Sequence, residues 1–137
     1  FVAAYHKRIM DMIHGRGGLV ILHCHGSIKK IFPKILAGGY DALQPVEAPP
    51  MGDITMAEAK QFARGKMCLI GNIQVGDLYT STPEKIDALC RETIEQAKPD
   101  GGFILGITAS HFSASMDDRT LANYLAYIDA GRKYGKY

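Results

Sequence analysis

Apolar positions recur along the chain in two alternating rhythms. Val2, Tyr5, Ile9, Met12 and Ile13 fall at helical spacing, and the pattern stops at His14-Gly15-Arg16-Gly17-Gly18. "LVILHCH", from Leu19 to His25, is a short apolar run of strand type. Helical spacing returns at Ile28, Ile31, Phe32, Ile35 and Leu36. It ends at Gly38-Gly39, and Pro33 predicts that the helix proper starts near Phe32. "DALQPVE" is the second strand. Thr55-Met56-Ala57-Glu58 then reads as a capping box, opening a helix that buries Met56, Ala59, Phe62 and Ala63 and ends at Gly65. "MCLIGNI" is the third strand. Thr82 caps the next helix, with Pro83 at its first position and Ile86, Leu89, Cys90, Ile94 and Ala97 on its apolar face. "GGFILGI" is the fourth strand. Asp117 or Asp118 caps a last helix that carries Leu121, Tyr124, Leu125 and Ile128 on one face, before the polar tail "GRKYGKY".

The resulting order, αβαβαβαβα, implies right-handed crossovers and a parallel α/β sheet. The strands are apolar throughout, as expected when helices cover the sheet. Four βα units match the half of a TIM-type (β/α)8 barrel, a fold that takes about 250 residues. A small doubly wound sheet is the competing architecture. The whole chain, 1–137, reads as one domain. It opens on Phe1, in mid-helix with no capping residue before it, which suggests a piece of a longer barrel.

Composition narrows the function classes. Of 137 residues, 47% are hydrophobic and 22% charged, ordinary values for a globular chain. A net charge of +2 with scattered Lys and Arg does not point to nucleic acid. No apolar run approaches the roughly 18 residues of a membrane span, and no signal-peptide pattern opens the chain. Cys24, Cys68 and Cys90 form no CxxC and are odd in number, which favours small buried residues in a reducing cytoplasm over disulfides or a cysteine-rich zinc site. No GxGxxG or GxxxxGK[ST] occurs, so Gly71 is not part of a nucleotide loop.

The chemistry collects at one end of all four strands. His23, His25 and Gly26 follow the first, Glu47 the second, Asn72, Gln74 and Asp77 the third, and Thr108, Ser110 and His111 the fourth. Sites in parallel α/β folds are built at this C-terminal edge, where a small-molecule substrate would bind. Residues i and i+2 of a strand share a face, so His23 and His25 point together into the barrel mouth while Cys24 points to the helices. Two imidazoles begin a zinc site, and Glu47 is a natural third ligand. His111 is placed to be a fourth ligand or a general acid/base. Asn72 and Gln74 are candidate cofactor-binding side chains. Asp53 reads as a turn or helix-start residue.

At "HCHG", "GGYDALQPVEAPPMGD", "GNI" and "GGFILGITASH…YGKY" the chain resembles the C-terminal half of the uroporphyrinogen decarboxylase superfamily. It is most similar to the branch of methylcobamide:thiol (coenzyme M) methyltransferases. The resemblance implies a (β/α)8 barrel and a zinc motif of His-x-Cys after one strand, a further Cys near the last, and an acidic residue nearby. His23 matches the His, His25 stands where the first Cys would be, and Glu47 is the acidic partner. No Cys lies in "ILGITASHF", where Ser110 or His111 takes its place. A His/His/Glu set is harder and less electron-rich than a thiolate set, and suits zinc or another divalent metal. The branch also implies a methylated corrinoid carried on a partner protein. The decarboxylases of the superfamily use no cofactor and bind a tetrapyrrole largely through their N-terminal half; His111 matches their late histidine. The expected partners are therefore the missing N-terminal half or, failing that, a second copy in a homo-oligomer.

Overall fold

The computed structural model describes residues 2–136; Phe1 and the tail residue Tyr137 lie outside the described residues. Four strands form one sheet in the order β1-β2-β3-β4: Ile21–His23, Ala42–Gln44, Cys68–Ile73 and Phe103–Ile107. Each is parallel to its neighbour, with Leu22 opposite Leu43, Leu43 opposite Leu69, and Leu69 opposite Phe103. Strands that follow chain order with no reversal build a βα-barrel arc. A doubly wound sheet would show a switch point, so the barrel architecture holds and its competitor falls.

The helices are α1 (Val2–His14), α2 (Phe32–Gly38), α3 (Met56–Ala63), α4 (Val75–Thr80), α5 (Pro83–Ala97) and α6 (Asp118–Tyr134). Their starts follow the local chemistry. The Thr55 hydroxyl accepts the Glu58 amide while Glu58 accepts the Thr55 amide, completing the capping box of α3. Thr82 caps α5 with Pro83 behind it, and Asp117, not Asp118, caps α6 by accepting the Thr120 amide at 2.7 Å. Helix α4 is an addition to the expected order. It follows β3 directly from Gln74, which caps it with no side-chain bond, so no capping signal announced it.

Helix-facing side chains form the core. Phe32, Leu43, Ile54, Met56, Leu69 and Ile94 are buried in one cluster; Ile73, Leu78, Ile86 and Cys90 are buried in a second. Leu22 and Cys24 pack against the first cluster, so Ile21 and His23 lie on the other face of β1 by alternation. Phe103 and Leu105 do the same for β4 and leave Ile104 on that opposite face. Ile21 is 57% exposed and Ile104 54%, because β1 and β4 are the sheet's edges.

Two expected helix faces are corrected. Of the expected α6 face, Tyr124 packs against the second cluster but Leu121, Leu125 and Ile128 are exposed, while Thr120, Asn123 and Ala130 are buried. Asn123 is fully enclosed and donates to the carbonyls of Leu78 and Ser81, so a polar anchor joins Tyr124 and Ala130 in seating the helix on α4. In α1, Val2, Tyr5, Ile9 and Met12 are exposed, and among the side chains described there Met10 alone is buried. Helical periodicity marks an apolar face but does not say that anything covers it. Phe62 of α3 is also exposed at its rim, although its ring stacks on Phe32 at 5.3 Å.

Candidate functional site

The first strand ends in the register that places Gln44 beside His23. The Cys24 amide continues the ladder onto the Gln44 carbonyl, which turns the chain at His25 into the barrel mouth. Beyond β2, Glu47 is 5% exposed. Its loop is held by Gly52, where a Cβ would stand 2.1 Å from the Glu47 carbonyl oxygen. Asp53, as a loop brace, accepts the Lys29 amide at 2.9 Å.

These elements bring His23, His25 and Glu47 together. The two Nε2 atoms face each other at 2.9 Å, with the rings 4.7 Å apart and inclined at 73°. His23 Nδ1 is hydrogen-bonded to Gln44 Oε1, and His25 Nδ1 stands 3.2 Å from Glu47 Oε1, within ion-pair reach. Gln44 is oriented by its amide NH2, which donates to the Ile107 carbonyl at 3.5 Å. The second Glu47 oxygen accepts the Gly26 amide at 2.7 Å. The Gln44 oxygen on His23 Nδ1 makes that nitrogen the N–H donor and leaves its Nε2 with the lone pair. The 2.9 Å contact between the two Nε2 atoms is then a hydrogen bond in which the His25 Nε2–H donates to His23 Nε2.

As a ligand set for a divalent metal the pair is partial. Tetrahedral zinc with bonds of about 2.0–2.1 Å separates two nitrogens by about 3.3 Å, a small opening of the observed pair. Among the described residues, no three His, Cys, Asp or Glu side chains are grouped to hold one ion. Glu47 reaches His25 on its Nδ1 side, behind the ring rather than beside Nε2.

The pair lines a cavity of about 380 Å³ together with Gln44, Thr108, Ala109 and Ser110. From the end of β4 and the loop after it, Ile107 to Ser110 line this cavity and His111 does not. The His111 ring is drawn to α4 instead. Its Nδ1 accepts from the Tyr79 hydroxyl at 2.5 Å, and the two rings stack at 5.3 Å. Asn72 and Gln74 do not reach the imidazoles either. Asn72 Oδ1 accepts the Thr93 hydroxyl at 2.9 Å and Gln74 Oε1 that of Thr108 at 3.1 Å. Both line a second cavity of about 250 Å³ between the β2–α3 loop and α5. Sequence reasoning missed Gln44 and Tyr79. Pairing the ends of the first two strands would have found Gln44; nothing in the sequence marked Tyr79.

The three cysteines are unpaired. Burial raises the Cys90 thiol to about 12 and moves Cys68 upward. No described helix is long and apolar enough to cross a membrane.

Comparison with known proteins places this chain in a family. The family described as uroporphyrinogen decarboxylase (URO-D) matches residues 1–116. No curated protein matches the sequence. Among solved structures, a methyltransferase from Methanosarcina mazei superposes with a TM-score of 0.71 at 19% identity. The match covers 99% of this chain and 36% of that one, so the chain spans about a third of the length of that protein.

Proposed function

The chain belongs to the uroporphyrinogen decarboxylase (URO-D) family, and from that premise we propose that it is part of a metal-dependent barrel enzyme that moves a methyl group from a methylated corrinoid to a thiol. The observation that carries this reading is the meeting of two imidazole nitrogens at 2.9 Å in the mouth of the sheet. His23 and His25 would hold the metal through Nε2. A bound divalent cation supplies the charge that keeps a substrate thiol as its thiolate, the nucleophilic form, at neutral pH. Thr108 and Ser110 form the opposite wall of the cavity. The Ser110 hydroxyl offers a neutral oxygen there, and Gln44 fixes the His23 ring. The rest of the barrel would supply the methyl donor's seat on a corrinoid-carrying partner. Three free thiols suit a reducing cytoplasm.

A second reading is a carboxy-lyase acting on a tetrapyrrole, favoured by the description of the matching family and by the lack of a third grouped ligand among the described residues. His111, with Tyr79 on its Nδ1, would then assist the substrate. The two readings separate in a chain that completes the barrel. Supplied with methylcobalamin and small thiols, it should demethylate the cobalamin, and a chelator should stop the reaction. Carbon dioxide released from an acetate-bearing tetrapyrrole, indifferent to chelator, would replace the first reading with the second.

A further inference from the structure

His111 lies half-buried in the loop after β4, with both ring nitrogens engaged. Nε2 stands 3.3 Å from the Ser115 carbonyl and Nδ1 2.5 Å from the Tyr79 hydroxyl. A carbonyl only accepts, so Nε2 carries the hydrogen, and in the neutral ring Nδ1 is the acceptor. The Tyr79 oxygen takes the Phe112 amide at 3.3 Å and gives its own hydrogen to Nδ1. We infer that Tyr79 is a positioning residue that holds His111 in its Nε2–H tautomer, and that this N–H is a donor for an oxyanion of a ligand bound at the strand ends. The Ser115 carbonyl occupies that oxygen's place in the free chain. The inference needs no metal and stands apart from the choice between the two reactions above.

Tyr79 is itself firmly placed. It sits on α4, which follows β3 directly, and the enclosed Asn123 amide donates to the carbonyls of Leu78 and Ser81 on either side of it. Its ring stacks on the imidazole at 5.3 Å and 17°, while the Tyr124 ring meets the imidazole edge-on at 6.0 Å and 86°. Half a revolution of the imidazole would put a carbon where each nitrogen stands and break both hydrogen bonds. The ring is therefore fixed in position and in tautomer. Tyr79 occupies Nδ1, the ring's only lone pair, so His111 acts here as a donor and not as a base. The outer bond is the weaker of the two. At 3.3 Å it is longer than the usual N–H···O distance of about 2.9–3.0 Å. Ser115 is exposed, so its carbonyl can turn to water at little cost. A charged oxygen makes a shorter bond, roughly twice as strong, and would displace it.

Acetate is the oxyanion probe, and nitrogen-15 spectra of the imidazoles in the 137-residue chain are the readout. They are recorded at pH 8, above the ordinary imidazole value of about 6.5. His111 should show hydrogen on Nε2 alone. Acetate should shift that Nε2–H, and chloride at the same ionic strength should not. Tyr79→Phe keeps the stacked ring and removes the hydroxyl. In that variant the Nδ1–H form of His111 should appear, and acetate should bind about 2–10-fold more weakly, the worth of one neutral hydrogen bond. A purely structural role for Tyr79 would lower stability without changing the tautomer. Hydrogen on His111 Nδ1 in the wild type, or unchanged His111 nitrogen shifts in Tyr79→Phe, would overturn the positioning role; the wild-type spectrum decides even if the variant fails to fold. An Nε2–H that acetate leaves unmoved, or that chloride moves equally, would overturn the donor role. Zinc and methylcobalamin assays bear on the reading of the reaction and leave both results as they stand.

Discussion

The Tyr79 hydroxyl donates to His111 Nδ1 at 2.5 Å while accepting the Phe112 amide at 3.3 Å, which ties the loop after β4 to α4 and turns His111 away from the His23–His25 cavity. Tyr79→Phe removes both bonds and keeps the stacked ring. We expect a loss of about 0.5–1.5 kcal/mol in stability, read by urea denaturation, with zinc affinity unchanged. A drop in zinc affinity would place His111 among the metal's ligands after all.

Much of the fold was legible because βα order, caps and turn glycines are local signals. The Thr55–Glu58 box, Pro83 and Asp117 each act within four residues of themselves. The strand-end rule gathered the candidate side chains at one edge of the sheet for the same reason: it needs only strand order. What escaped depends on atoms rather than positions. Ser110 and His111 are neighbours in sequence, and which of them enters the cavity was decided by Tyr79, 32 residues before His111. Likewise the proximity of Glu47 to His25 followed from topology, but the nitrogen that it would meet did not. The exposed stripes of α1 and α6 were misread for a third reason: amphipathic spacing reports a preference for burial, and the partner has to come from elsewhere.

The capping box of α3 should show in a pH profile. Glu58 is held down to about 2, first by the Lys29 ammonium's hydrogen bond and then by the Thr55 amide. Because its folded value lies below its ordinary 4.5, the stability it adds is present above that ordinary value and is lost as pH falls through about 2. Wild type and Glu58→Gln should therefore differ in urea midpoint at pH 6 and converge toward pH 2. Separately, Thr55→Ala should cost about 1 kcal/mol at neutral pH. Midpoints of the two proteins that stay parallel down to pH 2 would contradict the assignment.

Thiol chemistry should follow burial. Cys24 is half-buried beside the site, whereas Cys90 is enclosed, with its thiol raised to about 12, and Cys68 is raised too. At pH 8 a thiol reagent should label Cys24 first and Cys90 only on unfolding. Mass mapping that finds Cys90 modified early in the native chain would show that the second core cluster opens readily.

The edge strands and the stripes of α1 and α6 should drive association of the 137-residue chain. Unpaired edges and uncovered apolar faces both seek partners. Sedimentation should show concentration-dependent oligomers, and Leu121→Glu with Leu125→Glu should reduce them. A monodisperse monomer across the concentration range would mean that four units suffice by themselves.

The most direct test of the account is a calorimetric zinc titration of the chain at pH 7, beside the His23→Ala, His25→Ala double variant. The account predicts one zinc per chain for the wild type and none for the double variant, with circular dichroism showing both folded. Wild type that takes up no zinc, or a double variant that binds it equally well, would contradict the claim that these two imidazoles are a metal centre.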